Sequence, residues 1–140
     1  MSVAAILAPV FALVLLLFLL TGRMALTRVG SIKAGQTKMR DIALGQDAWP
    51  TQIQQTSNAY ANNLQLPVLF YALVAFAMLT KKADLLFVVM SWLFVLTRYA
   101  HALVHVTSNK VPLRFQFFAA GVFLLGVMWI IFAVRILAVD

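Results

Sequence analysis

Residues Val3–Leu20 run for 18 positions without a charge. As a helix, at about 1.5 Å per residue, such a run nearly crosses a hydrocarbon core about 30 Å thick. A cleaved leader would need a basic start, a shorter apolar stretch and small residues at a cleavage point. Met1–Val3 holds no basic residue and the run ends in Thr21-Gly22-Arg23, so a retained span is expected, bent at Pro9 as membrane helices tolerate. Composition agrees. The chain is 64% hydrophobic and 11% charged, whereas a soluble domain carries about a quarter charged residues. In water it would expose apolar patches large enough to aggregate.

Three further apolar runs follow, and the expected fold is an all-α, four-helix membrane bundle forming a single domain. Helices are expected at about residues 3–22, 56–80, 85–106 and 112–137. The segment 23–55 is read as a polar loop, since it gathers Arg23, Arg28, Lys33, Lys38 and Arg40 and is punctuated by Gly30, Gly35, Gly45 and Pro50. Lys81-Lys82-Ala83-Asp84 and Thr107–Lys110 read as turns, and Pro112 suits a helix start.

Four spans put both termini on one side. Loops one and three then share the other side and carry most of the basic residues, Lys110 and Arg114 included, against Lys81, Lys82 and Arg135 beside the termini. The positive-inside rule therefore places loops one and three in the cytoplasm and both termini outside. The net charge of +7 is scattered at the ends of apolar runs. That suits the lipid bilayer, and no basic stripe interleaved with aromatics points to nucleic acid. With no cysteine in the chain there is no disulfide, thiolate metal site or cysteine nucleophile.

Polar residues inside spans are costly and mark function. Ser91, Arg98, His101, His105 and Asn109 follow spacings of 7, 3, 4 and 4, one helix face roughly 80° wide. Gln54, Asn58, Asn62 and Gln65 share a face of the second helix by spacings of 4, 4 and 3. With Arg114 at the start of the fourth helix, these groups reach one level of the bundle. The spans hold no carboxylate to neutralise the arginines, so the expected ligand is anionic: a carboxylate, phosphate or thiolate. Plainer readings stand beside this one. Arg98 can snorkel to headgroups, Arg114 can be a lipid anchor, Asn62 and Gln65 can be interhelical glue, and His101 with His105 can chelate a metal, though no cysteine or acidic ligand lies near.

The stretch Asn58-Ala59-Tyr60-Ala61-Asn62-Asn63-Leu64-Gln65-Leu66-Pro67-Val68-Leu69-Phe70-Tyr71 resembles the second-helix signature of the MAPEG proteins, the membrane-associated proteins in eicosanoid and glutathione metabolism. Arg98-Tyr99-Ala100-His101 through His105, then Asn109 and Arg114-Phe115, resemble the family's third helix and the start of its fourth. The likeness covers nearly the whole chain, and its Pro67–Tyr71 run is similar to a bacterial branch, which implies an inner membrane with periplasmic termini. The resemblance implies a homotrimer holding glutathione between subunits. It further implies Arg114 as the catalytic residue that lowers the thiol pKa, and Asn62, Gln65, Arg98, His101 and Arg28 (or Arg23) as glutathione-binding residues. Gln65 stands where the family has glutamate, an arginine before the second-helix asparagine is missing, and His101 stands near a usual tyrosine. Two functions are thus in view. One is a glutathione-dependent transferase or peroxidase taking a small lipophilic ligand from the bilayer. The other is a non-enzymatic membrane protein binding a lipid or partner. A small transporter is a third, weaker reading of the His and Arg line.

Overall fold

The computed structural model describes residues 1–43, 45 and 47–138. Its element order is α1 (Val3–Lys33), a short 3-10 turn η1 (Met39–Ile42), α2 (Thr51–Leu79), α3 (Leu85–Val106) and α4 (Val111–Leu137). All four α-helices are long and apolar enough to cross a membrane.

The first helix does not stop at residue 22 but continues to Lys33. The charge at Arg23 marks where the apolar run ends, not where the backbone bonding ends. Arg, Met, Ala and Leu propagate a helix well, and Gly22 alone costs only about 1 kcal/mol. Thr27 satisfies itself by donating to the Arg23 carbonyl at 2.8 Å. The helix ends at Gly35, whose φ of 72° lets Gln36 N–H reach the Ser31 carbonyl at 3.0 Å and Gly35 N–H the Ile32 carbonyl. That pair of bonds is a Schellman stop. The second helix likewise starts earlier than residue 56, directly after Pro50, whose carbonyl takes the first N–H groups, Ile53 and Gln54. About half of the segment 23–55 is therefore the ends of two helices, and the connection between them is shorter than expected.

α3 is the hub, packing on α1, α2 and α4, while α1 and α2 lie side by side. Tyr99 ties α3 to α1 by donating to the Ala12 carbonyl at 2.7 Å. The buried seam of α2 runs Thr56, Ala59, Asn63, Pro67, Phe70, Val74, Ala77, steps of three and four that fit a helix face. Towards the termini the core is apolar, with Phe70 stacked on Phe94 at 4.9 Å between ring centres. Towards the end where η1 lies, the loop end for short, the core turns to small and polar groups. α4 contributes only Gly121, Leu125 and Met128 to the buried interior. At Gly121 a Cβ would lie 2.9 Å from Thr97 Oγ1, so the missing side chain lets α4 press against α3.

At the terminal end, Asp84 caps α3 by accepting from Phe87 N–H at 2.9 Å and pairs with Arg135 Nη2 of α4 at 2.7 Å. The hydrogen bond from Arg135 holds the Asp84 carboxyl below the usual carboxylate range, helped by the Phe87 N–H. The folded chain thus binds that proton less readily than the unfolded one. The latch is fully present above the ordinary carboxylate pKa of about 4 and is lost as pH falls below it. The pair is half exposed, so its contribution is about half a kcal/mol. Thermal unfolding in detergent should show a small extra drop in midpoint below about pH 4 that Asp84→Asn lacks.

Candidate functional site

The polar stripe of α3 turns into the bundle. Ser91 and Arg98 are fully buried, and His101 and His105 retain 3% and 2% exposure. They continue the seam that begins with Phe87 and Phe94, so the face that is apolar near the termini becomes basic near the loop end. Arg98 lies eight residues before the last residue of α3, about 12 Å along the axis from that end. Snorkelling is ruled out by this burial: the guanidinium reaches no surface.

None of the Arg98 nitrogens has a hydrogen-bond partner among the described residues. The side chain rests instead on the face of Phe118, with the guanidinium carbon 5.6 Å from the ring centre. Such a cation–π contact is worth about 2 kcal/mol when desolvated, whereas taking a guanidinium out of water costs several kcal/mol even after relaxation. The ring offsets only part of the cost. The sequence holds no glutamate, and the described aspartates, Asp41, Asp47 and Asp84, lie outside the four helices. No carboxylate meets Arg98 among the described residues.

A groove of about 230 Å³ opens between α3 and α4 at the loop end, lined by Asn62, His101, Val111, Arg114, Phe115 and Phe118. Arg114 is half-buried and donates to Asn109 Oδ1 at 2.6 Å. Asn109 itself takes φ 49° in the turn between the helices, a conformation asparagine tolerates better than most residues. The groove is therefore a cationic and amide-bearing pocket with an aromatic wall. The imidazoles of His101 and His105 meet edge to face, 5.6 Å between centres, and no third metal-ligating residue gathers with them among the described residues.

The structure brings together Asn62, His101 and Arg114. It does not bring Gln65, which is exposed and outside the groove. Arg98 stands behind the wall rather than in it. Arg28 belongs elsewhere: it donates to Ser57 Oγ at 2.9 Å and lies 5.0 Å from the ring centre of buried Trp49. Arg23 likewise bonds Thr56 Oγ1 at 3.3 Å. Both arginines pin α1 to α2.

Two residues escaped the sequence reading. Asn63, not Asn62, is the buried asparagine of α2; it donates to the Ala59 carbonyl at 2.9 Å and leaves its own oxygen without a partner. Its place on the three-and-four seam through Ala59, Pro67 and Phe70 is a signal that could have found it. Phe118 carries no such signal, being one of eleven phenylalanines. The sequence model of the MAPEG family matches residues 6–134 of the chain. No curated protein and no solved structure matches it significantly.

Proposed function

Since the chain belongs to the MAPEG family, we propose that it is a glutathione-dependent transferase or peroxidase acting on lipophilic electrophiles. The observation that carries this reading is the α3–α4 groove, where Arg114, His101 and Asn62 meet against the aromatic wall of Phe115 and Phe118. A guanidinium beside a thiol favours the thiolate by opposite charge. The thiol proton leaves to water in the open groove. The thiolate sulfur then attacks an electrophilic carbon, and the leaving group departs with the bonding pair. A lipophilic second substrate reaches that point by partitioning through lipid along the exposed apolar face of α4. Asn62 and Arg114 offer donors to the carboxylates and amides of the peptide.

The groove opens at the surface of a single chain, and Asn58 and Gln65 face outward near it. Both features favour a homotrimer in which a neighbouring copy closes the site. The basic loop end is the cytoplasmic one by the positive-inside rule, which suits an inner-membrane protein drawing on cytoplasmic glutathione.

A second reading rests on the departures. Gln65 points away, and Arg28 is engaged by Ser57 and Trp49, so the groove has fewer ligand-binding groups than the family pattern implies. A non-enzymatic role, binding a lipid or partner, follows if the groove does not take glutathione. Calorimetric titration of glutathione into the purified protein in detergent, with conjugation of a chlorinated aromatic as readout, separates the two. Binding heat with turnover supports the enzyme; a folded oligomer giving neither heat nor turnover rejects it.

A further inference from the structure

We propose that the terminal end of the bundle carries a site for an anionic phospholipid, its phosphodiester held by Lys81, Lys82 and Arg135 and one acyl chain laid along the α3–α4 cleft beneath them. The site lies at the opposite end from the Arg114 groove and does not depend on glutathione being a ligand.

Three observations converge on it. The first is charge. A recess of about 440 Å³ opens where the α2–α3 turn meets the last turn of α4, with Lys81, Lys82, Asp84 and Arg135 in its lining. Asp84 is already engaged by Arg135 at 2.7 Å, and neither lysine has an ion pair among the described residues. Three cations of the recess thus face one carboxylate. The second is continuity. Lys82 and Arg135 also border a narrow cleft between α3 and α4, walled by apolar side chains that include Leu86, Met90, Met128 and Ile131. Met128 lies seven residues before Arg135 on α4, about 10 Å along the helix, against a hydrocarbon depth of about 15 Å for one leaflet. Cations at the mouth with an apolar trough behind them match a phospholipid part for part. The two methionines are unbranched and adapt readily to a chain laid against them.

The third is the backbone of the turn. α2 ends in the same kind of stop as α1: Lys82 N–H reaches the Ala77 carbonyl at 2.9 Å and Lys81 N–H the Met78 carbonyl at 3.1 Å. In α1 the left-handed position is held by Gly35; here it is held by Lys81, with φ 56°. Glycine takes that conformation freely, whereas a side chain there is costly. The turn accepts that cost and places a cation in the recess. A phosphate shared by the two lysines and Arg135 ties this turn to α4, the helix with the smallest buried face, so the bound lipid should stabilise the bundle.

The probe is dioleoyl phosphatidylglycerol, titrated into the purified full-length protein in a neutral detergent, with dioleoyl phosphatidylcholine as control. The readout is the thermal unfolding midpoint, because a ligand of the folded state raises it saturably. The anionic lipid should raise it and the zwitterionic one should not. In Lys81→Gln/Lys82→Gln the half-saturating concentration should rise about thirtyfold. Lys33→Gln/Lys38→Gln removes the same charge from the loop end and should leave it unchanged. Leu86→Trp, a half-exposed position, covers the cleft and should weaken the response with both lysines in place. Glycerol phosphate, the headgroup without chains, should give no rise at the lipid's saturating concentration. An equal rise with phosphatidylcholine, a half-saturation indifferent to the Lys81 and Lys82 pair or equally moved by the loop-end pair, indifference to Leu86→Trp, or a rise with glycerol phosphate would each overturn the assignment. Glutathione calorimetry can fail while every lipid result stands, so the two readings fail separately.

Discussion

Replacing Arg114 by methionine is expected to lower kcat/KM for glutathione conjugation by about 10²–10³-fold, the scale of losing one preorganised electrostatic stabiliser. The guanidinium is held in place rather than free. Its bond to Asn109 Oδ1 at 2.6 Å aims it along the groove, and the left-handed backbone of Asn109 fixes the acceptor. Methionine keeps the length and apolar stem while removing the charge, so the bundle should unfold at nearly the wild-type temperature. The distinguishing measurement is the ultraviolet absorbance of bound thiolate. It should vanish with the charge and return in part with Arg114→Lys, which restores a cation without the planar fork. Retained thiolate in the methionine variant would assign its stabilisation to another group.

The largest loss of stability is expected from Phe94→Ala, about 2 kcal/mol from the cavity alone. Phe94 is fully buried and stacked on Phe70, also fully buried, with planes 26° apart. In a bilayer the unfolded reference is lipid, which is as apolar as the core, so transfer out of water supplies little. The cost is then the empty volume left in a packed interior, whose lining atoms forfeit their dispersion attraction to the ring. Unfolding in detergent by a denaturing surfactant, followed by circular dichroism, reads it directly. Phe94→Leu should recover most of the loss. A Phe94→Ala variant as stable as wild type would mean that the helices repack freely and that no rigid frame holds the groove.

How much of this was legible before the fold was known differs by helix. α3 was readable because its polar residues are rare and periodic in an otherwise apolar run; Arg98, His101 and His105 could share only one face, and they turn inward together. α2 misled. Its polar start carries amides on two adjacent faces, and the Asn58, Asn62, Gln65 face is the more conspicuous. The buried seam runs instead through Asn63 and small neighbours such as Ala59. In water, burial would sort the faces by hydrophobicity. In lipid both the inward and outward faces are apolar, so that contrast is weak. The length of α1 was missed for a related reason: charge reports the edge of the membrane, while hydrogen bonding decides the end of the helix. Phe118 was not findable, because its importance comes from what lies behind it, and tertiary packing alone puts Arg98 there.

The small buried face of α4 has a consequence for what surrounds the bundle. Only Gly121, Leu125 and Met128 of that helix are buried. Phe115, Phe123, Ile130 and Val134 each keep more than half of their surface exposed in the single chain. Phe115 also lines the groove. Whatever coats that outer flank, lipid or protein, therefore borders the mouth of the groove as well.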